Sequence, residues 1–109
     1  MPYEEAVAAG MITVMGEECD ERFMRNVMEM ANDPAMVSRV ADTFKIVFTP
    51  FHGCGHKLVP LALRRMGMKH IICEPQQMVI DGNFPTVKSP NPENPEGFYL
   101  AVELAKEHD

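Results

Sequence analysis

KIVFTPFHGCGHKLVPLALRRMGMKHIICE, Lys45 to Glu74, is the stretch on which the fold turns. KIVFT (45–49) is β-branched and aromatic and stops at Pro50, which predicts a strand buried on both faces. PFHGCGH (50–56) is a glycine-punctuated turn. The periodicity then predicts a helix to about Met66. Leu58, Val59, Ala62, Leu63 and Met66 lie on one face, and Lys57, Arg64 and Arg65 on the other. Pro60 fits only if it falls in the first turn, where its missing N–H matters least. Gly67 ends the helix, and HIICE (70–74) reads as a second buried strand. Strand, turn, helix and strand make a βαβ unit, with parallel pairing and a right-handed crossover.

Toward the C-terminus, EPQQMVIDGNFPTVKSPNPENPEG (74–97) holds five of the nine prolines, and a connection this long is functional or disordered rather than incidental. Asn94-Pro95 predicts a cap and start for a last helix, Glu96 to Lys106. Phe98, Leu100, Ala101, Val102, Leu104 and Ala105 cover more than half of that helix's girth, too wide an arc for an open surface. Toward the N-terminus, Cys19, Phe23, Val27, Met30 and Ala31 recur at helical spacing with Met24 and Met28 beside them, predicting a helix over 17–31. Glu18, Glu21, Arg22, Arg25 and Glu29 form its polar face, and Asp20 is placed to cap free amides of the first turn. Asp33-Pro34 opens a short helix to about Val40, and MITVM (11–15), between Gly10 and Gly16, is a brief strand candidate. This first part reads as a connector.

The composition fits an ordinary globular chain: 109 residues, 46% apolar and 24% charged. Such a chain folds to a radius of gyration of about 13 Å. The formal net charge of −6 argues against a nucleic-acid surface. It is concentrated in residues 1–44, where three arginines face nine acids, whereas residues 45–109 balance at seven of each sign. An anionic ligand therefore meets a kinder field in the second part. Cys19, Cys54 and Cys73 contain no CxxC and suit reduced thiols. Ten methionines serve as adaptable core filler. No apolar run approaches the roughly 18 residues of a membrane span. MPYEEAVAAG is acidic where a signal peptide is basic, so the expected compartment is the cytoplasm.

His52-Gly53-Cys54-Gly55-His56 is the first place for chemistry. Two glycines between a strand and a helix let backbone amides approach a phosphate, or they serve a tight turn alone. The dinucleotide fingerprint fails because Leu58 stands where its third glycine belongs, and no GxxxxGK[ST] is present. Zinc on His52, Cys54 and His56, with His70 or Cys73, has the wrong spacing, and a Cys54 nucleophile lacks its usual arginine. His52 or His56 could instead cap the helix. The second place is DGNFPTVKSPNPE (81–93), where Asp-Gly and Asn-Pro are turn dipeptides, Phe84 could anchor the loop and Lys88 could meet an anion.

TPFHGCGHKLVP (49–60), EP (74–75) and DGNFPTVKSPNPENPE (81–96) resemble the α-D-phosphohexomutase superfamily, most specifically in the last stretch. The similarity is greatest to bacterial phosphoglucomutases and phosphomannomutases of the longer-chain type. It covers most of the chain and is strongest from Lys45 onward, while residues 16–44 look like the helices leading from the family's first domain into its second. The resemblance implies an α/β, three-layer Rossmann-like partial domain with a parallel βαβ unit. On that reading, residues 1–44 are a mostly helical interdomain linker, and 45–109 are the leading part of domain two, cut before the metal loop.

The resemblance also implies an activity: interconversion of hexose 1-phosphate and hexose 6-phosphate through a bisphosphorylated intermediate. The family's phosphoserine lies in a Thr-Ala-Ser-His-Asn-Pro type loop, which does not occur in this sequence. Its Mg²⁺ loop is likewise expected outside it. Catalytic and metal residues are thus expected to be none. His52, Gly53 and Gly55 match the family's glycine loop, with His56 beside them. Asp81, Gly82, Phe84, Pro85, Pro90, Asn91 and Pro92 match its cleft loop, which also carries Lys88. Cys54 departs from the small hydroxyl or apolar residue more usual there. The implied cofactors of the parent enzyme are Mg²⁺ and a hexose 1,6-bisphosphate activator. The implied partners are the parent's other domains, hexose phosphate and, through uncovered apolar surface, a second copy of the fragment; no nucleic acid or membrane is expected. A stand-alone anion-binding or interaction module is the alternative.

Overall fold

The computed structural model describes residues 1–108. Its elements are α1 (Tyr3–Ala8), α2 (Glu17–Glu29), α3 (Pro34–Val40), β1 (Lys45–Phe48), α4 (Gly55–Arg65), β2 (His70–Cys73), a 3-10 turn (Pro95–Phe98) and α5 (Tyr99–Glu107). β1 and β2 pair in parallel, with Lys45 opposite His70 and Phe48 opposite Cys73. The α/β unit is therefore the βαβ that the sequence predicts. α4 lies against β2 and carries α2, while α5 packs on β1.

Local chemistry sets several boundaries. Asp33 Oδ1 accepts the Met36 amide at 2.8 Å, the N-cap expected before Pro34. α4 ends in a Schellman motif: Gly67 stands at φ +105°, its amide donates to Arg64, and the Met68 amide donates to Leu63.

Other expectations are corrected. Both strands are only half-buried rather than buried on both faces, because each has a single strand neighbour among the described residues. Pro60 lies beyond the first turn of α4, buried in the helix interior, where its ring replaces one ladder bond. MITVM forms no strand, since it finds no partner, and Met11, Val14 and Met15 are exposed. A short helix, α1, precedes it. Asn94 makes no side-chain cap, and the last helix begins with a 3-10 turn. The apolar arc of α5 is partly covered: Ala101 is buried, Leu100 and Leu104 half-buried, Val102 exposed. The radius of gyration, 17.1 Å, exceeds the roughly 13 Å of a compact chain of this length.

The inward face of α2 is rotated by one residue from the expected one. Met24 is fully buried, whereas Phe23 is half-exposed. Asp20 caps nothing; it pairs with Lys57 of α4, and Glu21 takes the Arg65 guanidinium in a two-pronged contact. That hydrogen-bonded contact holds the Glu21 carboxyl below its usual range and raises Arg65, while Asp20 raises Lys57. Between the strands' starts, Lys69 likewise lowers Asp42.

Candidate functional site

Pro50–His56 leaves the end of β1, and the segment after Cys73 leaves the neighbouring end of β2, so both loops rise from the carboxyl edge of the sheet. The conformational demand there does not fall on the glycines. Phe51 and His52 carry the positive φ values, +48° and +63°, in a region that bulky side chains rarely enter. Gly53 is needed for close approach instead, since a Cβ would lie 3.0 Å from the Pro50 carbonyl oxygen. Gly55 would meet only ordinary contacts.

The strained pair is held by what it buries. Phe51 is packed edge-on against Phe98, ring centres 4.7 Å apart, and over Gly97, where a Cβ would come within 2.9 Å of its ring. The His52 amide donates to the Gln77 carbonyl at 2.8 Å, and its own carbonyl accepts the Asp81 amide at 3.3 Å. Its ring is buried, with Nδ1 2.8 Å from the Val79 carbonyl and Nε2 2.8 Å from Thr86 Oγ1. Gln77, with no exposed surface, takes a hydrogen bond from Thr49 and donates to Thr86 Oγ1 and to the Gly97 carbonyl, each at 3.1 Å. Its amide donates to Oε2 of buried Glu74 at 2.6 Å. One glutamine therefore ties the end of β1, the long loop and the entry to α5 together.

The expected site residues separate into inner and outer sets. His52 is inside, with both ring nitrogens engaged. Neither His52 nor His56 caps α4, which has no side-chain N-cap. His56 is half-buried with its Nδ1 unpartnered, and Cys54 is exposed. Asp81 Oδ1 accepts the Asn83 amide at 2.8 Å in a tight turn, leaving Gly82 exposed at the tip. Phe84 is half-buried at φ +51°. Pro85, Pro90, Asn91 and Pro92 are exposed, and Asn91 Oδ1 accepts the Glu93 amide at 3.0 Å. Lys88 reaches into solvent 3.8 Å from Glu96, beside a cleft of about 220 Å³ that Thr86 and Tyr99 also line. A larger apolar groove of about 490 Å³, between Met28, Pro34, Met36, Val37 and Met66, shares no residue with these loops. Gln77 and Thr86 escaped the sequence reading because single polar residues in a proline-rich loop carry no periodicity, and Thr49 because it was read only as the end of a strand.

A family model described as phosphoglucomutase/phosphomannomutase, alpha/beta/alpha domain II, matches residues 21–109. The chain belongs to this family. Its domain II match takes in every residue of the two-loop junction. A phosphomannomutase of Mycoplasmoides pirum is 39% identical over 66 residues, 61% of this chain and 12% of the relative. A probable phosphomannomutase of Haemophilus influenzae is 30% identical over 114 residues, 94% of this chain and 22% of the relative. Human glucose 1,6-bisphosphate synthase is 44% identical over 68 residues, 62% of this chain and 11% of the relative. The chain thus spans between about a ninth and a fifth of the length of these curated relatives. No solved structure matches it significantly. No helix among the described residues is long and apolar enough to cross a membrane.

The Mg²⁺ that the family resemblance implies does not fit the residues present. Among the described residues no three His, Cys, Asp or Glu side chains gather as a metal site, and Glu74 and Asp81 each accept a backbone amide instead.

Proposed function

We propose that this chain supplies the lead-in and the leading part of domain II of a phosphohexose mutase. That enzyme is an intramolecular phosphotransferase of carbohydrate metabolism, an isomerase that interconverts hexose 1-phosphate and hexose 6-phosphate in the cytoplasm through a bisphosphorylated intermediate. The reading is carried by the family match falling on the very residues that knit the two strand-end loops together. Phosphoryl transfer depends chiefly on positioning and on neutralising charge. This chain's residues serve the first need: the buried junction sets where the turn at Asp81-Gly82 and the Pro90-Asn91-Pro92 stretch stand on the sheet edge. In this reading residues 1–44 lead into the domain and 45–109 form its leading part. The nucleophilic phosphoserine, the Mg²⁺ and the hexose bisphosphate belong to the whole enzyme, whose other domains and hexose phosphate are this chain's partners. A second copy of the isolated chain is a further partner, across exposed Phe98 and Val102.

Replacing the aligned segment of the Haemophilus influenzae relative with this chain tests the proposal. The chimera is expected to retain hexose phosphate mutase turnover in a coupled assay with bisphosphate activator, while the isolated chain shows none. A folded chimera without turnover would refute the reading.

A further inference from the structure

We propose that Gln77 is the positioning residue of the 81–93 loop: it directs the Thr86 hydroxyl proton onto Nε2 of His52, whose Nδ1–H is fixed by the Val79 carbonyl. Donors and acceptors fix the direction of each bond. The Gly97 carbonyl can only accept, so the Gln77 side-chain nitrogen faces it and the side-chain oxygen faces Thr49. The Thr49 hydroxyl donates to that oxygen and accepts the Phe51 amide at 3.1 Å. On the other side Gln77 donates to Thr86 Oγ1, which leaves the Thr86 hydroxyl proton free to point at His52 Nε2. The Val79 carbonyl can only accept, so His52 Nδ1 carries the ring proton. Every side-chain donor and acceptor named is then satisfied by one neutral pattern, and reversing any member leaves two donors or two acceptors facing each other.

The buried pattern bears on function because it grips the chain at Val79 and at the Thr86 hydroxyl, on either side of the loop's first turn. Val79 O and Thr86 bracket Asp81–Phe84, so losing the pattern releases the turn at Asp81-Gly82 from the sheet edge. Removing one partner of a buried pair exposes the other to the full cost of burial without a bond. This positioning role rests on the reading of the loop as facing a phosphosugar cleft, but its test does not use turnover.

Long-range proton–nitrogen NMR on the labelled 109-residue chain reads the His52 tautomer directly, and hydrogen exchange reads the Asp81, Phe84 and Val87 amides. The wild-type chain is expected to show Nδ1–H. Gln77→Leu and Thr86→Val are expected to keep Nδ1–H, to shift the His52 Nε2 resonance as its Thr86 donor is loosened or lost, and to speed exchange at the three loop amides about tenfold, with the β1 and β2 amides little changed. Thr86→Ser, which keeps the hydroxyl, is expected to restore both. Should Gln77→Leu not fold, the Thr86 pair decides alone. An Nε2–H ring in the wild type, an Nε2 resonance indifferent to Thr86→Val, or exchange that rises equally in the strands overturns the proposal. A failed chimera with these results intact would remove only the mutase reading.

Discussion

Around His52, buried polar groups from four stretches of chain satisfy one another, and two aromatic rings close the remaining space. Across the α2–α4 contact, Met24 is the only buried side chain of α2, and the polar bonds are the Lys57–Asp20 and Arg65–Glu21 pairs at the surface. The first region resists change because each group lost strands another away from water; in the second, water replaces whichever polar bond is lost. Position follows from the first kind of contact, and adjustable attachment from the second. A loop that must stand still over a sheet edge and a lead-in helix that only needs to dock are accordingly built differently.

Phe51→Ala should break the contrast most severely. Its ring is buried against Phe98 and Gly97, so truncation is expected to cost about 3–5 kcal/mol, read from the urea midpoint of the whole chain. A loss below about 1 kcal/mol would mean the junction is not the stable part. Met24→Ala comes next, with about 2–3 kcal/mol expected, confined to the docking of α2. Amide shifts should change on α2 and α4 while the His52 and Gln77 signals stay in place; movement of both sets would erase the distinction between the regions.

Acid and salt give the smallest effects and sharpen the comparison. The native state holds the Glu21 carboxyl below its usual range, so it binds fewer protons than the unfolded chain there. The contribution of the Arg65 pair is therefore present above the ordinary glutamate range and is lost as pH falls through the depressed value. Lowering pH from 6 to about 3 should loosen α2 from α4, and Arg65→Met should abolish the Glu21 part of that dependence. Salt should weaken the same contact. A Glu21 titration curve unchanged in Arg65→Met would show that the pair does not form in solution.

The strand–turn–helix–strand order was legible because each element announces itself within a few residues: β-branched runs, a helical repeat, Gly67 at a C-terminus, Asp33-Pro34 at an N-terminus. The same local rules misplace MITVM, since strand propensity without a neighbour forms nothing. They also centre α2 on Phe23, because pattern alone cannot see that Asp20 and Glu21 face cations on α4. At the site, the two loops and their meeting at one sheet edge were readable from motif and strand order. The network that joins them was not, since Gln77 and Thr86 look like solvated loop residues until the fold surrounds them.

Native-state hydrogen exchange at the junction and at α1, measured together on the same sample, decides whether the junction is the stable part of the chain. The amides of His52, Glu74 and Gln77 donate to Gln77, Phe48 and Glu74, whereas those of Ala6 and Ala9 donate only within the α1 segment, to Pro2 and Glu5. The first three are expected to exchange only through unfolding of the βαβ unit, at least about a hundredfold more slowly than the α1 pair. Junction amides that exchange as fast as those of α1 would contradict this expectation.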